Sequence, residues 1–394
     1  MMETIELRSS SSTAPRTLIA DDQPEVLEAL RLLLKGAGYQ TEGVTSPAAL
    51  LEALKSKQFD LLLMDLNYAR DTTSGQEGLD LLSHIQVLDR ALPIIVMTGW
   101  GSVELAVEAM HRGVRDFVQK PWENEKLLVL LRTHIEEGRA LRERLRLEKE
   151  KKFWQEREYQ EAREIQLGLL PKDIPQIPDH EISGAWQPAS AVGGDYFDVL
   201  KFGSSAVALC VADVAGKGMP AALLMSNLQA AVKAFASELM QPKELCSKVN
   251  RVICSNISAN RFITFFYGLY DSKKRKLVYT NAGHNAPVVL RRTSAHSRLQ
   301  EGGSVLGVFR EWNYEQREVD LLPGDRIVLF TDGVTEATND KEEEFGEERL
   351  MAFLEENKHL RAIDLRKRVM ADVVEFSGGK FHDDATLIVM SANR

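Results

Sequence analysis

The chain of 394 residues carries 49 Lys and Arg against 58 Asp and Glu, a formal net charge of -9, which speaks against a nucleic-acid binder because phosphate contacts need a basic surface. A length of this order suits two domains and a connector rather than one core. Cys210, Cys246 and Cys254 are odd in number and lack metal-ligand spacing, so they read as reduced thiols of a cytoplasmic protein. No apolar run reaches the roughly 18 residues of a membrane helix, and the start lacks the apolar segment of a signal peptide, so no membrane insertion is expected.

Residues 1–14 read as a disordered tail and 15–135 as the first domain. Short apolar strands are predicted at 16–20, 40–44, 61–64, 93–97 and 117–119, with amphipathic helices beginning near Pro24, Ser46, Gly78, Ser102 and Glu123. Five βα units make a doubly wound parallel sheet covered on both faces. Chemistry in such a sheet gathers outside the carboxyl ends of its strands, which here carry Asp21 and Asp22, then Asp65, Thr98 and Lys120. Two carboxylates roughly 4 Å apart repel by about 4 kcal/mol at an effective dielectric of ~20, so the cluster needs a cation. Oxygen ligands alone select a hard divalent ion such as Mg2+ or Mn2+, and Lys120 with Thr98 suits an added phosphoryl group.

These residues stand in Ile-Ala-Asp-Asp (19–22), Leu-Met-Asp (63–65), Met-Thr-Gly (97–99) and Gln-Lys-Pro (119–121). In that combination the whole first domain resembles the receiver domain of two-component response regulators. The resemblance implies that Asp65 accepts phosphate from a sensor histidine kinase. It implies that Asp21, Asp22 and Asp65 hold Mg2+ with the Asn67 carbonyl, and that Thr98, Lys120 and Phe117 form the switch that senses the phosphoryl group. A cis Lys120–Pro121 bond is also implied, whereas the segment 67–78 after the acceptor is longer than the family's tight loop. On the residues alone, polar strand ends with no shared role are the competing reading.

Residues 136–168 read as a helical, coiled-coil-like linker that continues the last receiver helix. Of the 29 residues 136–164, 18 are charged in mixed sign and Gly138 is the only glycine, and pairs at i, i+3 and i, i+4 support an exposed helix. Leu131, Ile135, Leu141, Leu145, Tyr159 and Gln166 trace a ragged seam, with fewer apolar positions than a stable heptad coil uses. The expectation is a long signalling helix that pairs in a homodimer; a solvated spacer helix on a monomer is the alternative. A weakly packed seam suits a switch biased by a few kcal/mol.

Residues 169–394 form the second domain, with Leu169-Leu170-Pro171 ending the helix. Strands are expected at 182–187, 197–201, 206–212, 263–270, 276–281, 286–291, 315–319, 326–331 and 385–390, and helices at 219–238, 243–257, 346–356 and 362–375. Hairpin strands beside paired helices give an α/β sandwich of mostly antiparallel sheets flanked by helix pairs, so the whole chain is a multidomain α/β protein.

Four aspartates stand there at boundaries between strands and turns. Asp195 lies in Gly-Gly-Asp-Tyr-Phe-Asp (193–198), Asp213 in Val-Ala-Asp-Val-Ala-Gly-Lys-Gly (211–218), Asp332 in Phe-Thr-Asp-Gly-Val-Thr-Glu (330–336) and Asp383 in His-Asp-Asp-Ala-Thr (382–386). If they converge, the site is all carboxylate, which excludes zinc and suits paired Mn2+ or Mg2+. Two such ions activate a water between them and hold a phosphate oxygen, so phosphoester hydrolysis needs no protein nucleophile.

With Asn-Ala-Gly-His-Asn-Ala-Pro (281–287) and Ile165-Gln166 ahead of Leu169-Leu170-Pro171, these motifs make residues 164–389 resemble the PPM-type serine/threonine phosphatases, in the bacterial branch of sporulation and stress-response regulators. The resemblance implies that Asp213 bridges two metal ions. Asp195 and the Val214 carbonyl then serve one ion, and Asp332 and Asp383 the other; Asp198 and Asp384 are supporting candidates. Lys217 stands where many relatives have histidine and receives no catalytic role. His284 is expected to shape a loop rather than bind metal, and no arginine is identified as gripping the substrate phosphate.

The combined expectation is a two-component response regulator whose output is metal-dependent serine/threonine protein phosphatase activity, controlled at Asp65 with the sign left open. By family analogy its substrate is a phosphorylated STAS-domain anti-sigma-factor antagonist. The alternative is a phosphorylation-controlled binding adaptor that keeps the phosphatase fold without turnover; loss of metal aspartates would be its signature, and all four are present. A transcription factor has no basic recognition helix after the receiver to support it.

Overall fold

The computed structural model describes residues 14–66, 76–99, 103–258, 260–292 and 295–393; Asn67 and the expected tail, apart from Ala14, lie outside the described residues. The chain divides into two compact units, one ending at Trp154 and the other beginning at Gln155.

In the first unit β1 (Arg16–Ala20), α1 (Pro24–Gly36), β2 (Gln40–Val44), α2 (Pro47–Ser56), β3 (Leu61–Asp65), α3 (Gln76–Leu88), β4 (Ile94–Thr98), α4 (Val103–His111) and β5 (Asp116–Gln119) alternate. The strands pair in parallel in the order β2-β1-β3-β4-β5. β3 and β4 are buried at every residue, which is why they are continuous apolar runs rather than alternating ones. Leu62, Met64, Ile94 and Val96 pack with Leu50 and Leu82, while Leu61, Leu63, Ile95 and Met97 pack with Leu30 and Leu34. α2 starts where expected because Ser46 Oγ accepts the Ala49 amide at 3.3 Å and Pro47 opens the first turn, a favoured N-terminal arrangement. The Lys120–Pro121 bond is cis.

α5 (Asn124–Leu169) is a single helix of 46 residues that crosses from one unit into the other. Its first turns bury Leu127, Leu131 and Ile135 in the core of the first unit. The attachment continues past Ile135: a Cβ at Gly138 would meet Pro93 Cδ at 2.7 Å, so only glycine fits this approach. Arg139 forks onto Asp60 at 2.8 and 3.0 Å, and Arg142 reaches Asp89 at 2.7 Å.

The second unit contains β6 (His180–Gln187), β7 (Tyr196–Phe202), β8 (Ala206–Val214), α6 (Met219–Phe235), α7 (Pro242–Asn256), β9 (Ile263–Asp271), β10 (Lys276–Ala282), β11 (Val288–Leu290), β12 (Ser297–Arg298), β13 (Gly302–Gly303), β14 (Arg317–Asp320), β15 (Arg326–Phe330), α8 (Asp332–Thr335), α9 (Glu347–Asn357), α10 (Ala362–Phe376) and β16 (Ala385–Ala392). One sheet runs β13-β10-β9-β8-β7 with β14 on β10, the other β12-β11-β15-β16-β6. Their pairings are antiparallel except β10 with β13.

Alternation along β15 sets the layers. Ile327 and Leu329 join the core shared with the first sheet, α6 and α7, whereas Val328 and Phe330 join Leu350, Leu354, Leu365 and Val369 of α9 and α10. The unit is therefore helix pair, sheet, sheet, helix pair. At one edge β7 begins beside the end of β8, with Tyr196 opposite Ala212, and β16 begins beside the end of β15, with Leu387 opposite Phe330. Among the described residues no helix is long and apolar enough to cross a membrane.

Candidate functional site

At the carboxyl edge of the first sheet, Lys120 Nζ donates to Asp21 Oδ2 and to Asp65 Oδ2, both at 2.6 Å. Asp21, Asp65 and Thr98 are buried, and Asp22 is partly so. Burial raises the Asp21 carboxyl above its usual range despite the ammonium beside it. Burial also opposes the Lys120 charge, yet its hydrogen bonds to Asp21 and Asp65 carry its pKa above the ordinary value. The carbonyl of Thr98 accepts the Lys120 amide at 2.8 Å, which fixes the base of that lysine. Phe117 is half exposed on β5. Asn67 falls outside the described residues.

At the common edge of the two sheets in the second unit, Asp195 is buried and joins both sheets: its Oδ2 accepts the hydroxyls of Thr331, at 2.8 Å, and of Thr386. Its Oδ1 is buried without a hydrogen-bond partner, as is Asp332 Oδ1. Asp332 opens α8 two residues after the last residue of β15, and Asp213 is the last residue but one of β8, which ends at Val214. Asp384 Oδ2 accepts the Gly194 amide at 2.5 Å, and its Oδ1 accepts the Ala189 amide at 2.9 Å.

The glycines of the motifs are there because backbone and carboxylate approach closely. A Cβ at Gly193 would stand 2.3 Å from Asp384 Oδ2, one at Gly333 2.0 Å from the Asp384 carbonyl, and one at Gly194 3.1 Å from the Val214 carbonyl. The last contact puts the carbonyl of Val214 beside the segment that carries Asp195.

The carboxylates feel one another. Burial, then Asp332, Asp383 and Asp384, push Asp213 up to about 7. Burial and then Asp213 and Asp384 raise Asp195, and burial and then Asp383 raise Asp332. Among the described residues, however, no three His, Cys, Asp or Glu side chains close into a ready ion cage. Asp383 instead meets Lys217, whose Nζ lies 2.8 Å from Asp383 Oδ2.

The other singled-out residues divide. Asp198 faces away from the cluster, toward the Tyr196 hydroxyl at 3.2 Å and Lys233 Nζ at 3.3 Å. His284 is buried, and burial pushes its imidazole down to about 4. Thr331, Thr386 and Lys217, to which sequence reasoning gave no role, touch the site or its supports, as does Gln166, expected on the helix seam but hydrogen-bonded to Gly193. All four stand inside or beside the motifs, which was the available signal.

Residues 203–393 match the family described as Stage II sporulation protein E (SpoIIE), and residues 17–132 match the response regulator receiver domain. The chain is 34% identical over 231 residues to the phosphoserine phosphatase RsbU of Bacillus subtilis (strain 168), spanning 58% of this chain and 68% of RsbU. It is 28% identical over 266 residues to protein IcfG of Synechocystis sp., spanning 60% of this chain and 42% of IcfG. Among solved structures, the SiaA-PP2C domain of Pseudomonas aeruginosa shares the fold, with a TM-score of 0.52 and 23% identity over 61% of this chain and 98% of that one. With RsbU matched across two thirds of its length and the receiver matched ahead of the connecting helix, the chain belongs to the SpoIIE family of phosphatases and carries a response-regulator receiver domain on the same polypeptide.

Proposed function

We propose that this chain is a response regulator that removes phosphate from phosphoserine or phosphothreonine of a protein substrate, under the control of phosphorylation at Asp65. The observation that carries the reading is the pair of buried, partnerless carboxylate oxygens, Asp195 Oδ1 and Asp332 Oδ1, within one field of mutually repelling acids. An orphaned buried acceptor costs about 1–3 kcal/mol, and more when charged, and cations relieve that cost. The donor set, carboxylates with one backbone carbonyl, fits Mn2+ or Mg2+.

Asp213 would lie between two such ions, Asp195 with the Val214 carbonyl would hold one, and Asp332 with Asp383 the other. When bound, the ions supply Lewis-acid activation of water and charge neutralisation at the phosphoryl group. The chain's own residues set the geometry: Thr331 and Thr386 fix one Asp195 oxygen and so aim the other into the site. Asp384 ties the amides of Ala189 and Gly194 and so shapes the segment that carries Asp195.

In the receiver, Asp21, Asp22 and Asp65 would hold Mg2+, Asp65 would take phosphate from a sensor histidine kinase, and Thr98, Lys120 and Phe117 would relay its arrival. Two subunits would pair along α5, whose Leu147 and Phe153 are exposed. The kinship to a phosphoserine phosphatase supports a phosphoprotein substrate, and a STAS-domain anti-sigma-factor antagonist is the specific proposal. The free cysteines and the proposed kinase control support a cytoplasmic location.

The test is Mn2+-dependent hydrolysis of a phosphoserine peptide by the full chain, with and without beryllofluoride at Asp65, beside Asp213→Asn. Metal-dependent turnover that is lost in the variant supports the enzyme, and the beryllofluoride effect gives the sign of control. Metal binding with no turnover in either state would return the binding-adaptor reading.

A further inference from the structure

We propose that Lys217 grips the substrate phosphate, and that its ammonium holds Asp383 whenever a metal ion does not. This rests on the phosphatase reading above and supplies the phosphate-binding cation that the motifs leave unassigned.

Lys217 lies between Gly216 at φ 108 and Gly218 at φ 71, both in the left-handed region, with open space around each. Such a backbone favours glycine, and it leaves the lysine on an arm free of packing on either side. The side chain is 60% exposed, its Nζ lies 2.8 Å from Asp383 Oδ2, and it also donates to the His382 carbonyl. The same charge bears on Asp213, Asp332 and Glu336, lowering carboxyls that burial and mutual repulsion raise. Three other cations of this unit are committed elsewhere: Arg163 to the Ser190 and Ala191 carbonyls, Lys233 to Asp198, Arg366 to Ser183.

A divalent ion and an ammonium compete for the same oxygen of Asp383, and where several carboxylates face one another the divalent ion prevails. Displaced from Asp383, the ammonium keeps its four-carbon reach over the same edge. A phosphoserine brings roughly 1.5 to 2 negative charges to a site lined with carboxylates, so a cation beyond the metals is required to hold it. A lysine ammonium, with three rotatable donors, binds phosphate as a point charge.

The experiment compares the full-length wild type with Lys217→Met, Lys217→Gln and Lys217→Arg. Mn2+ binding is followed by the electron paramagnetic resonance of free Mn2+, and inorganic phosphate is used as an inhibitor of peptide hydrolysis. Both neutral variants are expected to bind Mn2+ several-fold more tightly and to raise the inhibition constant of phosphate roughly tenfold, the loss of one charge-assisted contact. Lys217→Arg keeps phosphate inhibition near that of the wild type. Unchanged or weakened Mn2+ binding in the neutral variants, or unchanged phosphate inhibition, overturns the assignment while leaving the phosphatase reading intact. Failure of the wild type itself to bind Mn2+ more tightly than Asp213→Asn overturns both.

Discussion

Gln166 grips Gly193 through both of its amide atoms: Nε2 donates to the Gly193 carbonyl at 2.7 Å and Oε1 accepts the Gly193 amide at 2.9 Å. Gln166 is buried in the last turn of α5, and Gly193 stands two residues ahead of Asp195. Arg163, one turn earlier, donates to the Ala191 carbonyl at 2.9 Å. The helix that begins in the receiver thus ends as a clasp on the segment that carries a proposed metal ligand. Gln166→Leu keeps the bulk but leaves a buried amide and a buried carbonyl unsatisfied, a cost of about 1–3 kcal/mol each. The expected outcome is a urea midpoint lowered accordingly, together with weakened Mn2+ binding and reduced turnover. Wild-type turnover in a destabilised Gln166→Leu protein would show that the clasp supports the fold alone.

Gly193 tests the same segment from its other side. Its missing side chain lets the Asp384 carboxylate reach the Gly194 amide, and a Cβ would stand 2.3 Å from Asp384 Oδ2. Gly193→Ala must push Asp384 away and shift Asp195 with it. A displacement near 1 Å at a reacting centre costs about 100-fold in rate, so turnover should fall by about that factor. Gly194→Ala meets the Val214 carbonyl at 3.1 Å, a contact that a small backbone shift relieves, and should cost less. Equal losses from the two would mean that the Asp384 contact does not set the position of Asp195.

The contrast between visible and hidden residues has a physical basis. β3 and β4 could be located from sequence because strands covered on both faces are continuous apolar runs, and Asp65, Asp213 and Asp332 stood out because a carboxylate at such a boundary breaks the pattern abruptly. β12, β13 and α8 span only two to four residues, too few for a period to show. Thr331, just past the end of β15, and Thr386 of β16 act through hydroxyls that meet at one Asp195 oxygen, a convergence that the pairing of β15 with β16 creates. Gln166 was assigned to the helix seam by spacing, but its amide is spent on backbone. Lys217 stands where many relatives have histidine and carries no catalytic role on sequence alone; its proximity to Asp383 arises from chain segments 166 residues apart.

Asp213 gives the second unit a pH dependence of definite sign. Burial and the neighbouring acids hold its carboxyl at about 7 in the fold, against an ordinary value of 3.8. The folded state therefore keeps a proton that the unfolded chain releases. Its contribution to stability is complete below about pH 4 and is lost as pH rises toward 7, with a slope of at most about 1.4 kcal/mol per pH unit for one group. In chelator, the thermal midpoint of the wild type should fall between pH 5 and pH 7 more steeply than that of Asp213→Asn. Adding Mn2+ at about 100 times its dissociation constant should restore about 2.7 kcal/mol at pH 7 in the wild type. Parallel midpoint curves for the two proteins would remove Asp213 from the acid cluster.

His284 offers a last test, because it ties together the two sheets that carry the acids. Its Nε2 donates to the Phe330 carbonyl at 3.1 Å, which leaves Nδ1 to accept the Thr264 hydroxyl at 2.8 Å. Thr264 pairs with Asp213 across β8 and β9, and Phe330 stands two residues before Asp332. Asn281 fixes the ring's backbone, accepting the His284 amide at 2.7 Å and donating to its carbonyl at 3.0 Å. His284→Phe retains the ring but strands the Phe330 carbonyl and leaves the Thr264 hydroxyl only its 3.4 Å bond to the Asp213 carbonyl, so stability should drop by about 1–3 kcal/mol for the group left unsatisfied and turnover should fall with it. His284→Gln retains one donor and one acceptor and should recover part of that turnover. Because burial pushes the imidazole down to about 4, the ring stays neutral from pH 5.5 to 8, and the rate profile of His284→Gln over that range should keep the wild-type shape. A profile that changes shape would mean that His284 titrates during turnover and that its part in the site is more than holding two strands together.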